Sequence, residues 1–181
     1  MLSIFLLLLF INYNSLLKVT DNRIIDRITL YDPLHNILPI YNWNYVLSII
    51  TNLATIFIVI ENLYMNTFIR FFLKFIIISY IRLICIYLVP LDIPKNNIHL
   101  KYYPKIIFNR VGVNYKYDYF FSGHTSLLIL CILNSYFKIT YTLSCIIVIY
   151  MLVSQRVHYT IDILIAPFIV YTVNDIVNYI V

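Results

Sequence analysis

Six segments of this chain are long and apolar enough, or nearly so, to cross a bilayer, and that feature limits the fold more than any other. They run over about Leu2–Leu17, Asn44–Ile60, Phe68–Val89, Tyr119–Phe137, Ile139–Gln155 and Tyr159–Ile180. A helix that crosses a bilayer needs roughly 20 mostly apolar residues, with about 17 as the lower limit. Inside lipid every backbone N–H and C=O must be paired within the chain, so segments of this kind are helical. Of 181 residues, 62% are hydrophobic and 12% charged, whereas soluble domains carry roughly 25% charged residues. A soluble globule and a disordered chain are both excluded. The composition and the spans predict an all-α, polytopic membrane protein. Residues 1–181 form one integral-membrane domain with six transmembrane helices and no repeat or appended soluble domain.

The longest polar stretches, Lys18–Trp43 and Pro90–Asp118, hold five of the six prolines. Six spans place the first, third and fifth loops on one side, and those loops carry nine of the 13 basic residues. With a net charge of +5 and basic residues between apolar spans, the expected partner is anionic lipid, not nucleic acid. Met1–Leu17 has no basic n-region and reads as a retained first span, not a signal peptide. Cys85, Cys131 and Cys145 stand singly in apolar runs and read as buried thiols. His35 and His99 lie in loops without neighbouring ligands, so they read as surface histidines and no metal site is expected.

Two polar clusters open two of the spans: Asp118–Thr125 at the head of the fourth and Ser154–Asp162 at the head of the sixth. His124 and His158 are 34 residues apart, which at roughly 17 residues per crossing is one trip across the bilayer and one back. Both histidines therefore return to the same depth on the same side. The four-residue spacing of His158 and Asp162 places them one turn apart on one helical face. A carboxylate there can hold the Nδ1 proton and leave Nε2 as nucleophile or base. A helix-start histidine beside a neutralising acid is the plainer reading. Inside a span, where ionisable groups are costly, the functional one is favoured.

Ser122, Gly123 and Thr125 form a candidate anion nest: glycine admits close backbone approach, and the hydroxyls and helix N-terminus supply donors. Arg156, two residues before His158, reads either as a fork on phosphate oxygens or as a boundary arginine reaching for headgroups. One histidine to attack phosphorus, a second to protonate the leaving oxygen, and donors around the phosphate make up a metal-free phosphoryl-transfer site.

At these residues the chain resembles the sphingomyelin synthase branch of the type 2 phosphatidic acid phosphatase superfamily. The resemblance rests on FFSGHT at 120–125, preceded by Asp118 and Tyr119, and on HYTIDILIA at 158–166. YDPLHNILP at 31–39 with Trp43 is similar to the family's proline-rich first luminal loop. The stretch 81–94 is similar to its third helix, with Arg82 as the arginine of that helix. The chain departs from the family pattern at Lys116-Tyr117, at His35 after Leu34, and at Pro167-Phe168. The two histidines and the aspartate are untouched by these departures.

The resemblance implies that His158, oriented by Asp162, takes a phospho-headgroup from a phospholipid such as phosphatidylcholine. It implies that His124 protonates the departing diacylglycerol and then deprotonates the primary hydroxyl of ceramide. Ser122, Gly123, Thr125, Arg156, Asp118, Tyr119 and Arg82 would bind substrate, and no cofactor is implied. The oligomeric state is left open, a homodimer included. A lipid phosphatase or phospholipase C would use the same histidines, and a lipid-binding scaffold would use the motifs without chemistry. The family places the catalytic face in the Golgi lumen or outside the cell, whereas nine cations on that face argue for the cytosol.

Overall fold

The computed structural model describes residues 28–89, 91–92, 94 and 120–180, together with residue 12. Among the described residues six helices follow one another: α1 (Pro33–Ile37), α2 (Asn44–Tyr64), α3 (Phe68–Leu88), α4 (Gly123–Asn134), α5 (Lys138–Ser154) and α6 (Thr160–Ile180). Among the described residues there is no strand, only one isolated parallel bridge between Ile28 and Leu91. Five of the six expected spans each contain a helix; the first, Leu2–Leu17, lies outside the described residues except for Asn12, and Asp118, Tyr119 and His99 lie outside them too.

Among the described residues three helices, α2, α3 and α6, are long and apolar enough to cross a membrane, at 21 residues each. Their outward faces carry Leu53, Phe57, Ile84, Leu88, Leu164 and Phe168, all exposed, as lipid-facing surfaces require. Hydroxyls on these helices turn back onto their own backbone. Thr51 donates to Leu47 O at 2.8 Å, Thr55 to Thr51 O at 2.7 Å and Ser79 to Phe75 O at 2.8 Å. A polar side chain satisfied in this way can sit in an apolar helix without an unpaired donor.

The fourth helix differs from the expected span Tyr119–Phe137. It covers 12 residues, which at about 1.5 Å per residue is well short of the hydrocarbon thickness of about 30 Å. Its start is set by Phe121, whose φ is +31°, and by Ser122, whose hydroxyl accepts the Thr125 N–H at 3.2 Å as an N-cap. At the other end Ser135 turns extended and its hydroxyl donates to Glu61 at 2.7 Å. Glu61 also accepts the Tyr136 N–H at 2.6 Å, so α2 runs on to Tyr64, past the expected end at Ile60.

Short turns fix the alternation. Asn66, in the left-handed region at φ +57°, reverses the chain between α2 and α3, and Arg156, also at φ +57°, does so between α5 and α6. The starts of α2, α4 and α6 therefore share one end of the bundle with the ends of α3 and α5. Helix α4 lies at the centre, packed on α2, α3, α5 and α6, and its Leu128, Leu130 and Cys131 are fully buried.

The opposite end is closed by Lys74, which interrupts the third apolar segment and is 1% exposed. Its ammonium donates to Asn134 Oδ1 at 2.7 Å and Asn174 Oδ1 at 2.8 Å, joining α3, α4 and α6. Removing the donor strands a buried amide oxygen on Asn174, at a cost of about 1–3 kcal/mol, and a half-buried one on Asn134. Lys74→Met should therefore lower the thermal unfolding midpoint measurably, and Lys74→Met with Asn134→Leu should recover part of the loss.

Candidate active site

The heads of α4 and α6 are joined through the backbone: Ser122 N–H donates to Asp162 O at 3.1 Å. This bond sets His124, on the first turn of α4, against His158, just before α6. The two imidazole rings stand 6.3 Å apart, edge to face at 68°. His158 is buried and His124 half-buried. Two rings whose centroids are this close can both reach one phosphate group at the joined helix heads, one ring addressing the phosphorus atom and the other an ester oxygen.

Asp162 is fully buried, and its Oδ2 lies 3.6 Å from His158 Nδ1. The same Oδ2 accepts the Tyr159 N–H at 3.1 Å. Asp162 thus sits at the third helical position and reaches back to the residue that opens α6, which is half of a capping box. The carboxylate anchors the helix start and faces the histidine with one oxygen. Catalytic hydrogen bonds are often long before substrate binds and tighten afterwards.

Arg82, near the end of α3, reaches the same place. It is 4% exposed and its Nε donates to Phe121 O at 3.1 Å. Its guanidinium lies over Gly123: a Cβ on that residue would be 2.9 Å from Nη1 and 3.0 Å from Cζ. Glycine leaves room here for the close approach of an arginine. Gly123→Ala should displace the guanidinium, the flexible end of its side chain, and destabilise the protein by about 1 kcal/mol, the low end of what overpacking costs. Thermal unfolding of purified variants reads this, and Arg82→Lys in the same chain should recover part of the loss.

The remaining candidate residues divide. The Ser122 hydroxyl is engaged as the α4 cap and its carbonyl accepts from Ser126 N at 2.9 Å, so its described hydrogen bonds are structural. The Thr125 hydroxyl is buried with no hydrogen-bond partner among the described residues. Arg156 donates to the His35 carbonyl. It lines a cavity of about 300 Å³ with Asp32, His35, Asn36, Tyr31 and Tyr159, a cavity that neither His124 nor His158 lines.

His35 is not the surface histidine that its loop position suggests: it is 7% exposed. Helix α1 packs onto the 156–160 turn, so the ring stacks on Tyr159 with centroids 6.0 Å apart, and Nε2 lies 3.0 Å from the His158 carbonyl oxygen. Burial pushes its imidazole below the ordinary histidine range, and Asp32, 3.7 Å away, offsets this only in part. Burial alone would raise the Asp32 carboxyl. The N–H and hydroxyl of Thr160 outweigh it and hold the group below its usual value. The available sequence signal was the Asp32-Pro33 pair, a cap residue followed by proline at the first helical position.

Scanned against protein-family models the chain matches none, and a search of curated proteins returns no match.

Proposed function

We propose that this chain is a membrane phosphotransferase of the sphingomyelin synthase type, within the type 2 phosphatidic acid phosphatase superfamily. The observation that carries the reading is the pairing of His124 and His158 at 6.3 Å on adjoining helix heads, with Asp162 beside His158. The motifs at 120–125 and 158–166 supply the family expectation. The chain works as a six-span membrane domain in the Golgi or plasma membrane, with the histidines on the luminal or extracellular face.

In the first half-reaction His158 Nε2 attacks the phosphorus of a glycerophospholipid, with phosphatidylcholine the proposed donor. The P–O bond to diacylglycerol breaks, and protonated His124 gives its proton to the departing oxygen. Asp162 holds the Nδ1 proton and stabilises the charge that His158 acquires. In the second half-reaction His124, now neutral, takes the proton of ceramide's primary hydroxyl. The alkoxide oxygen attacks phosphorus, the P–N bond breaks and the headgroup leaves on ceramide. The Arg82 guanidinium offsets negative charge near Gly123. Burial of His158 keeps water from intercepting the intermediate.

The test is expression in a host that lacks sphingomyelin, supplied with labelled ceramide and followed by lipid chromatography. The expected product is labelled phosphosphingolipid, formed together with diacylglycerol. Free headgroup released regardless of ceramide would make the chain a phospholipase C. No turnover across a panel of donors would leave a lipid-binding scaffold.

A further inference from the structure

Segment 28–35 is stitched to the turn that carries His158 at five points. Asp32 Oδ2 accepts the Thr160 N–H at 2.5 Å and Oδ1 accepts the Thr160 hydroxyl at 2.8 Å. His35 Nε2 meets the His158 carbonyl at 3.0 Å, and Arg156 donates to the His35 carbonyl. The Tyr159 hydroxyl accepts from Leu30 N at 3.4 Å, and it donates to Asp92 O at 3.1 Å. Thr160 is the first residue of α6, so Asp32 caps that helix from 128 residues away while also capping α1 through Leu34 N–H at 3.0 Å.

These contacts fall on both sides of His158 in the chain. The carbonyl of His158 is held by His35, and the N–H two residues on is held by Asp32. Between them the backbone of residues 158–160 has little room to rotate. Its rotation sets the direction of the His158 ring relative to Asp162, which sits one turn further along. A carbonyl oxygen needs a donor, so the tautomer of His35 that makes this contact carries its proton on Nε2. Both side chains are buried, Asp32 and His35 at 7% each, and cutting either leaves a buried polar group of the 158–160 backbone without its partner.

We infer that Asp32 and His35 form a positioning pair for His158, holding its imidazole in register with Asp162 from a different helix. Neither is a catalytic residue; both act through the backbone that presents one. The inference rests on the reading of His158 as the reacting group, and its test has an arm that does not depend on turnover.

The chain has four histidines, so the full-length protein labelled with 15N-histidine and placed in lipid nanodiscs yields four sets of ring signals. Single substitutions assign them. Wild type should show His158 as one neutral tautomer with the proton on Nδ1. His35→Ala should give a tautomer mixture, and His35→Gln, whose amide N–H replaces Nε2–H, should restore the single form. In the transfer assay His35→Ala should lower kcat about tenfold at unchanged KM, and the loss should vanish in an Asp162→Asn background. Thr160→Val removes only the hydroxyl donor to Asp32. It should move both readouts the same way by about threefold in kcat, and it serves if His35→Ala does not fold. An unchanged His158 tautomer in these variants overturns the pairing, and so does a kcat loss that stays fully additive with Asp162→Asn. A wild type with the expected tautomer but no transfer would instead overturn the proposed reaction and leave the positioning standing.

Discussion

His158→Asn should abolish headgroup transfer and, with it, every trace of acid-labile phosphoenzyme. On the proposed reaction this side chain forms the covalent bond to phosphorus, so nothing else in the site can accept the headgroup. The expected fall in kcat/KM is at least about 10³-fold, at the upper end of what one acid–base or nucleophilic group contributes. The measurement is brief incubation with donor labelled in the headgroup phosphate, followed by alkaline gel electrophoresis, which preserves phosphohistidine. Wild type should label and the variant should not. Asparagine is the appropriate replacement because it keeps a polar group against Asp162 and avoids stranding a buried carboxylate. A variant that still labels would move the nucleophile to another residue.

His124→Asn should produce a different defect, and the difference separates the two histidines. With a natural donor the leaving group is an alkoxide that needs a proton, so loss of His124 should slow phosphoenzyme formation by about 10²–10⁴-fold. With a p-nitrophenyl phosphocholine donor the leaving phenolate needs none. The first half-reaction should then approach the wild-type rate, while transfer to ceramide stays slow because no base takes the hydroxyl proton. The variant should therefore accumulate phosphoenzyme with the activated donor, read as a burst of nitrophenol without matching product. Equal losses with both donors would mean that His124 does not act on the leaving group. The two rings, with centroids 6.3 Å apart, are close enough to serve one phosphate group, and their separate roles on it are what the two donors distinguish.

Several elements of the site are legible in the sequence because their causes are local. The four-residue spacing of His158 and Asp162 foretells their proximity, 3.6 Å, but not its form: His158 lies before the start of α6 at Thr160, so the turn into that helix, and not a shared helical face, brings the two groups together. The polar cluster Asp118–Thr125 marks the head of the fourth apolar run, and α4 begins within it at Gly123. Other elements follow no local rule. The fourth apolar run is long enough to span, yet its helix stops at Asn134, where the Asn134 amide donates to Leu130 O at 2.8 Å and Ser135 turns toward Glu61 on another helix. His35 sits in a loop by sequence, but it is buried because α1 folds onto a turn more than 120 residues away. Arg156, a candidate phosphate fork by sequence, donates to a carbonyl of the Pro33–Ile37 helix, a contact that no spacing along the chain foretells.

The sequence by itself determined the solvent and the periodicity: long apolar runs with few charges form helices that suit a bilayer, and the scarce polar residues gather at two helix heads. Only the tertiary structure decided which of those polar residues meet. Arg82 lies over Gly123, Lys74 joins Asn134 and Asn174, and Asp32 caps a helix it does not belong to. Such contacts depend on how far each helix is rotated about its own axis. That rotation is set by the packing of all the helices together, and composition and spacing along one segment do not record it.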